Sequence, residues 1–207
     1  GHLPHGAHGD SELQHLLVGV ITFQEQMTKF LGGPAFDPVP VDLQVGEWRL
    51  LGQLSGMREQ GLRRVRFGRL RPQEYYQLWV EHLIIQSLPD QPNQTSAILG
   101  RGTKVFALQE FNTTQAAMHE LRSLVALREK GLQRPLPLFP RSSMTFARHR
   151  KNRKGFGECK SKAYEEWRGR NMKIAEEKDY YHHLAFGQVE DPLDNEFSEL
   201  CEKVVRP

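Results

Sequence analysis

The segment GQLSGMREQGLRRVRFGRLRP, residues 52–72, decides how this chain is interpreted. Its composition predicts two short strands joined by a turn at residues 59–61. Glu59 is the only acidic residue from position 48 to position 70, whereas six arginines lie from Arg58 to Arg71. Because Mg²⁺ is bound mainly through carboxylate oxygens, this hairpin predicts a basic surface and no metal site.

The residues on both sides of this segment predict an ordered series of helices and strands. A first helix is expected to begin near Asp10 or Ser11, both good N-caps, and to end at residues 31–34, LGGP. One antiparallel-rich sheet flanked by helices satisfies the order that follows, so we expect an α/β (α+β) fold. Strands are predicted at residues 39–45, 48–56 and 62–68, a helix at 72–88, a second hairpin at 95–111 and a helix at 114–130.

The last third of the chain differs in composition from the rest. Residues 132–142 are rich in proline and predict a connector, and residues 148–154 form a basic run that is either a solvated face or a disordered loop. A charged helix is predicted at 163–178 and a last helix at 194–205. We therefore predict a core at 1–131 and a mostly helical extension at 132–207 that packs on it.

Composition excludes several classes of function. No run approaches the roughly 18 apolar residues of a membrane span, and the first residues resemble no signal peptide. Cys159 and Cys201 are the only cysteines, which favours a reducing compartment. His2, His5 and His8 are separated by proline and glycine, which disfavours a shared metal. We predict no cofactor, no metal, no membrane partner and a monomer.

The order helix–β–β–β–helix–β is also the core order of PD-(D/E)XK nucleases. Those enzymes hold Mg²⁺ with an Asp on one strand and a (D/E)xK triplet on the next. Here Ser55 stands at the Asp position, while Arg66 and Gly68 replace the acid and the Lys of the triplet. A hydroxyl and a guanidinium cannot hold Mg²⁺, so the nuclease positions are vacated. The alternative is that these strands never belonged to a nuclease.

A second alternative is an active Mg²⁺-dependent DNA nuclease whose carboxylates come from other positions. The candidates are Asp42 and Glu47 together with Glu81. A third is a stand-alone basic DNA-binding module, although a net charge of +3 gives only a weak overall field.

Four segments carry a family resemblance: LPHGAHGD (residues 3–10), GQLSGM (52–57), GLRRVRFGRL (61–70) and QLWVEHLI (77–84). They resemble the C-terminal region of RecC, the gamma subunit of exodeoxyribonuclease V, the RecBCD complex. Two weaker echoes are AYEEWRGR (163–170) and DYYHHLAF (179–186).

The resemblance implies a non-catalytic, inactive PD-(D/E)XK domain in a bacterial cytoplasmic complex that acts in homologous recombination and DNA repair. It also implies that such a domain scaffolds RecB-like and RecD-like subunits and helps to guide or split the ends of double-stranded DNA. The absence of a GxxxxGK[ST] sequence agrees with the lack of an ATP site.

The basic residues are the candidate contacts with DNA or with a partner. On a strand, Arg64 and Arg66 share one face and Val65 and Phe67 the other, which predicts a basic outer face and an apolar inner one. Phosphate contacts, acidic partner surfaces and a merely solvated face remain open. The candidates are Arg58, Arg63, Arg64, Arg66, Arg69, Arg71, Arg148, Arg150, Lys151, Arg153 and Lys154.

Overall fold

The first helix, α1 (Ala7–Leu31), begins earlier than its capping residues predict. Gly6 precedes it with a φ of 78° and gives no side-chain cap, so Asp10 lies in the first turn instead of capping it. A carboxylate in that turn is favourable because the helix N-terminus carries partial positive charge. The structure of the protein is a computed structural model. It describes residues 5–89, 94–102, 105–111, 113–170 and 174–205.

Strands β1 (Val39–Val45) and β2 (Trp48–Leu54) form a two-stranded antiparallel sheet. Val45 pairs with Trp48, so residues 46 and 47 make the predicted two-residue turn. Val41, Leu43 and Val45 are buried, whereas the residues between them are exposed. This period of two is what a strand with one covered face requires.

The remaining strands form a separate four-stranded sheet, so the prediction of one sheet was wrong. It contains β3 (Met57–Arg58), β4 (Gly61–Arg66), β5 (Ser96–Gly100) and β6 (Phe106–Leu108), in that order. Gly56 separates β2 from β3 with a φ of 81°, a conformation that L side chains rarely adopt. The chain bends there, and β3 takes the place expected for β2 beside β4.

Helix α2 (Pro72–Ser87) connects β4 to β5, and these two strands are parallel. A parallel pair needs such a crossover, because two neighbouring parallel strands cannot be joined by a tight turn. The pairing of β5 with β6 is antiparallel, as the predicted second hairpin requires.

The rest of the chain is helical. α3 (Thr114–Gln133) runs past Gly131, and then come α4 (Pro140–Lys151), α5 (Phe156–Arg168), α6 (Tyr180–Phe186) and α7 (Asn195–Val204). The predicted charged helix at 163–178 was wrong, because α5 ends where Gly169 adopts a left-handed conformation and a short 3₁₀ helix follows at Glu176–Lys178. The basic run is no disordered loop, because it forms the last turn of α4 and the turn after it. Two sheets and seven helices within the described residues confirm the α+β class.

The chain divides into two compact units. The first unit contains residues up to Leu70 and Glu81–Ala117, and the second contains Arg71–Val80 and residues from Met118 onward. Buried residues in the first unit include Leu62, Leu83 and Ile98. The second unit has a core of Phe139, Phe146, Cys159, Ala163, Trp167, Leu193, Phe197 and Cys201. The predicted limits 1–131 and 132–207 remain a prediction. In the described part of the chain, no helix has the length and apolar character needed to cross a bilayer.

His82 is a buried histidine of the first unit whose two ring nitrogens are both bonded. Nε2 lies 2.9 Å from the carbonyl oxygen of Gln109, which only accepts, so Nε2 carries the proton. Nδ1 then accepts from the hydroxyl of Ser96 at 2.9 Å. Burial lowers the pKa of His82 by disfavouring the charged form.

We expect this histidine to make stability depend on pH. Below about pH 6.5 the unfolded chain takes up a proton that the folded chain resists, so the free energy of unfolding falls as the pH falls. His82→Gln keeps a donor and an acceptor but does not titrate, and it should flatten that dependence in urea titrations from pH 7.5 to 5. His15→Gln, at an exposed position of α1, is the control. An equal pH slope in wild type and His82→Gln would contradict the assignment.

Helix α4 of the second unit is capped by a carboxylate distant in sequence. Its N-cap residue, Phe139, offers no side-chain acceptor. Glu176 is buried and accepts from the backbone N–H groups of Arg141 and Ser142 at 2.9 Å each, and from the Ser142 hydroxyl at 2.8 Å. The carboxylate thus satisfies unpaired donors of α4 and lies at its positive end.

Glu176→Ala is expected to lower the free energy of unfolding by about 1–3 kcal/mol, because it leaves these buried donors without an acceptor. The neighbouring Glu177→Ala removes the same charge without touching α4 and should change it by less than about 0.5 kcal/mol. Urea titration measures the free energy of unfolding of both variants. An equal loss of stability in the two would refute the capping role of Glu176.

Candidate DNA or partner interface

The three vacated nuclease positions lie at strand ends of the first unit. Ser55 directly follows β2 and is exposed, and Arg66 is the last residue of β4. Gly68 is held in a bend, where its N–H donates to the carbonyl of Arg66 at 2.8 Å and its carbonyl accepts from the N–H of Arg101 at 2.9 Å. A side chain at position 68 would begin 3.4 Å from Nε of Arg66. These positions offer a hydroxyl, a guanidinium and backbone, with no carboxylate among them.

Arg64 points to an acid of its own unit. Its Nε and Nη2 donate to the two carboxylate oxygens of Glu81 on α2 at 2.8 and 2.9 Å, and its Nη1 donates to the carbonyl of Ser55 at 3.0 Å. The side chains are 27% and 12% exposed. This two-pronged geometry is the strongest form of an arginine–carboxylate contact. Arg64 is therefore bonded to an acid within its own unit, and its contact with DNA or a partner stays a prediction.

Arg63 and Arg58 are also bonded within the first unit. Arg63 donates to the carbonyl of Leu62 at 3.0 Å and to the hydroxyl of Thr95 at 3.3 Å, and its guanidinium lies 5.8 Å from the ring centre of Phe30. Burial lowers the pKa of Arg63. Arg58 donates to the carbonyl of Gly33. The strand arginines thus hold neighbouring segments together.

Phe67 lies outside β4, and the prediction that it belongs to the inner face was wrong. It is 52% exposed, with its ring 5.2 Å from that of Phe23 and 5.1 Å from the guanidinium of Arg101. Arg69 and Arg71, which follow in the chain, are exposed. Arg66 itself is half-buried at the end of β4.

Five exposed candidates of the second unit lie at the end of α4, a surface that we call the α4 corner: Arg148, Arg150, Lys151, Arg153 and Lys154. Cations at this end of a helix also complement its partial negative charge. The guanidinium of Arg148 lies 5.1 Å from the ring of Tyr75, Arg150 pairs with Glu202 at 3.1 Å, and Lys154 pairs with Glu158 at 3.4 Å.

Arg153 stands out within the α4 corner by its backbone. Its N–H donates to the carbonyl of Arg150, and that of Lys154 donates to the carbonyl of His149 at 3.1 Å, which is the bonding of a Schellman motif. Arg153 occupies the left-handed position of that motif with a φ of 57°, where glycine is usual. An arginine held there at a conformational cost, with an exposed side chain, is a candidate for a functional contact.

The acids of the alternative nuclease do not meet. Asp42 receives two hydrogen bonds from Arg49 at 2.8 and 2.7 Å, and this pairing lowers the pKa of Asp42. Glu81 receives Arg64, and Glu47 lies in the exposed turn between β1 and β2. Across the described ranges, no three His, Cys, Asp or Glu side chains cluster in a way that suits a metal ion. His2 lies outside the described residues.

The chain belongs to the family of RecC C-terminal domains. The model of that family matches residues 1–151, which cover α1 to α4, all six strands and the strand arginines. The family places the chain in a subunit of RecBCD, exodeoxyribonuclease V, a complex of DNA repair and recombination that also contains RecB and RecD. The two weaker echoes at 163–170 and 179–186 lie beyond the match. No curated protein matches the chain significantly.

Sequence reasoning missed the partners that define this site. It considered Glu81 only as a carboxylate of the alternative nuclease and placed Arg64 on an outer face, although the two form one ion pair. They are 17 residues apart on different elements, so spacing gives no signal for their contact. The sequence makes Arg153 a candidate by its charge alone, because a left-handed backbone at an arginine has no sequence signature.

Arg153→Gly should affect stability and DNA binding differently. Glycine fits the left-handed position, so the free energy of unfolding should stay the same or rise by up to about 1 kcal/mol. If Arg153 contacts phosphate, the same variant should weaken DNA-end binding by the complex and lower its salt slope by about one unit. Arg122→Ala, which removes an exposed charge from α3, is the control for net charge. If DNA affinity and the salt slope are unchanged, Arg153 does not contact DNA.

Proposed function

We propose that this chain is a non-catalytic structural domain of a RecBCD-type complex, with a PD-(D/E)XK-like core that has lost its metal site. The observation that carries the proposal is the inward ion pair of Arg64 with Glu81. It engages the carboxylate that adjoins the vacated strand ends, so that this acid is not available to a metal.

The fold supports the nuclease-like part of the proposal. A helix precedes the strands, and the parallel pair β4 and β5 is connected through α2 within a mixed sheet. A helix, strands, a second helix and a further strand follow one another as in the nuclease core, although β1 and β2 form a sheet of their own. Positions 55, 66 and 68, where the metal and water ligands would stand, carry Ser, Arg and Gly.

Without a metal site, the function of such a domain is to bind partner subunits and to guide DNA ends. Within the proposal, the α4 corner supplies the sequence-independent phosphate contacts, because arginine and lysine bind phosphate whatever the base. Arg69 and Arg71 are further exposed candidates. The RecB-like and RecD-like subunits supply the chemistry, in the bacterial cytoplasm, and the domain alone is a monomer.

The chemical part of the proposal is tested on the isolated chain. With Mg²⁺ present, it should cleave neither single- nor double-stranded DNA, because no described group of acids can hold the ion. Glu81→Gln and Asp42→Asn are the matched variants. Cleavage that persists through purification and disappears in either variant would establish the alternative nuclease.

A further inference from the structure

The N-terminal half of α1 carries an uncovered apolar stripe. Farther along the helix, Phe23 is buried and Met27 and Phe30 are half-buried, so that half of α1 is covered. From Asp10 to Thr22 no residue of α1 is buried, although several of them are apolar. Their exposed fractions are Leu13 42%, Leu16 49%, Leu17 50%, Val18 63%, Val20 43% and Ile21 55%.

Leu13, Leu16 and Val20 continue the covered face of the helix, whereas Leu17, Ile21 and Val18 widen the exposed apolar surface beyond it. At 100° per residue, Leu13, Leu16, Val20, Phe23 and Met27 fall within an arc of roughly 100°, the width of an amphipathic face. The stripe is thus continuous with the internal packing of the first unit and extends beyond it. Helices gain most of their stability from packing such a face, which here lacks a covering for about half its length.

The charge of α1 indicates what covers it. Residues 7–28 contain Asp10, Glu12 and Glu25 but none of the chain's 28 lysines and arginines. By helical geometry Glu12 borders the arc of Leu13, Leu16 and Val20 on one side, and Asp10 lies on the other side, between Leu17 and Ile21. Nucleic acid and anionic membranes are repelled by such a surface. A second copy of α1 would bring like charges together, which disfavours a homodimer.

We propose that the uncovered half of α1 docks an amphipathic helix of a partner subunit, whose apolar face is bordered by lysine or arginine. Apolar residues spaced by three and four along a straight helix fit the grooves of another helix. Basic residues at its border pair with Asp10 and Glu12 and set the register. The inference rests on the proposed scaffolding function and adds the surface and the kind of partner.

Cysteine labelling tests the surface. Cys159 and Cys201 are buried, so Leu16→Cys and Leu51→Cys each add one accessible thiol to this chain, and any exposed cysteine elsewhere in the subunit is first replaced by serine. Leu51 is 67% exposed on β2 and serves as the control. In the RecC-type subunit alone, both variants should react with a maleimide at similar rates. On assembly with the RecB-type and RecD-type subunits, the labelling rate of Leu16→Cys should fall at least tenfold, whereas that of Leu51→Cys should not change.

Three results would overturn the docking surface. The first is that Leu16→Cys reacts as fast in the complex as in the subunit. The second is protection already in the subunit alone, and the third is protection by an oligonucleotide instead of by protein. If the complex forms normally while Leu16→Cys stays reactive, the inference fails and scaffolding stands. If the wild-type subunit forms no complex at all, scaffolding fails as well.

Charge reversal tests the partner's border. Asp10→Lys with Glu12→Lys keeps every apolar side chain and should weaken assembly about tenfold. Glu47→Lys with Glu59→Lys makes the same change of charge at exposed positions of the first unit and should have little effect. Equal affinities for the two double variants would refute the basic border.

Discussion

The contact of Arg64 with Glu81 is the constraint on which the first unit depends. One guanidinium binds both oxygens of a largely buried carboxylate and also the carbonyl of Ser55. It therefore joins β4, α2 and the end of β2. A charge pair removed from water is costly unless its bonds are made, so neither residue can be changed alone without leaving the other unpaired. A strand crowded with arginines is in this way compatible with a folded sheet.

The second unit likewise depends on a buried carboxylate that accepts hydrogen bonds from another part of the chain. Glu176 supplies the acceptor that Phe139 cannot offer at the start of α4, and α4 supplies Phe146 to the core. That core is completed by Cys159, Trp167 and Phe197, which lie beyond the residues that the family model matches. The matched α4 thus packs against a segment outside the match, and both are needed to present the α4 corner at the helix end.

Local patterns predicted what local forces determine. The hairpin from Val39 to Leu54 follows from alternation and a two-residue turn, and its register agrees with that expectation. The order of helices and strands could likewise be predicted, because each element carries its own periodicity. The division into two sheets could not, since it falls at Ser55 and Gly56, and the positive φ of Gly56 has no signal in the local pattern. The same applies to Gly169, which ends α5, whereas Gly131 leaves α3 intact.

The site was harder to predict because charge alone does not tell whether an arginine faces solvent or an internal acid. The most direct measurement is a double-mutant cycle of Arg64→Met and Glu81→Met, with the free energy of unfolding and DNA-end affinity measured for each variant. The account predicts that each single change costs about 2–3 kcal/mol, that the double change costs at least 1 kcal/mol less than their sum, and that DNA-end affinity is unchanged. Additive or negligible losses of stability, together with weakened DNA-end binding for Arg64→Met, would contradict it.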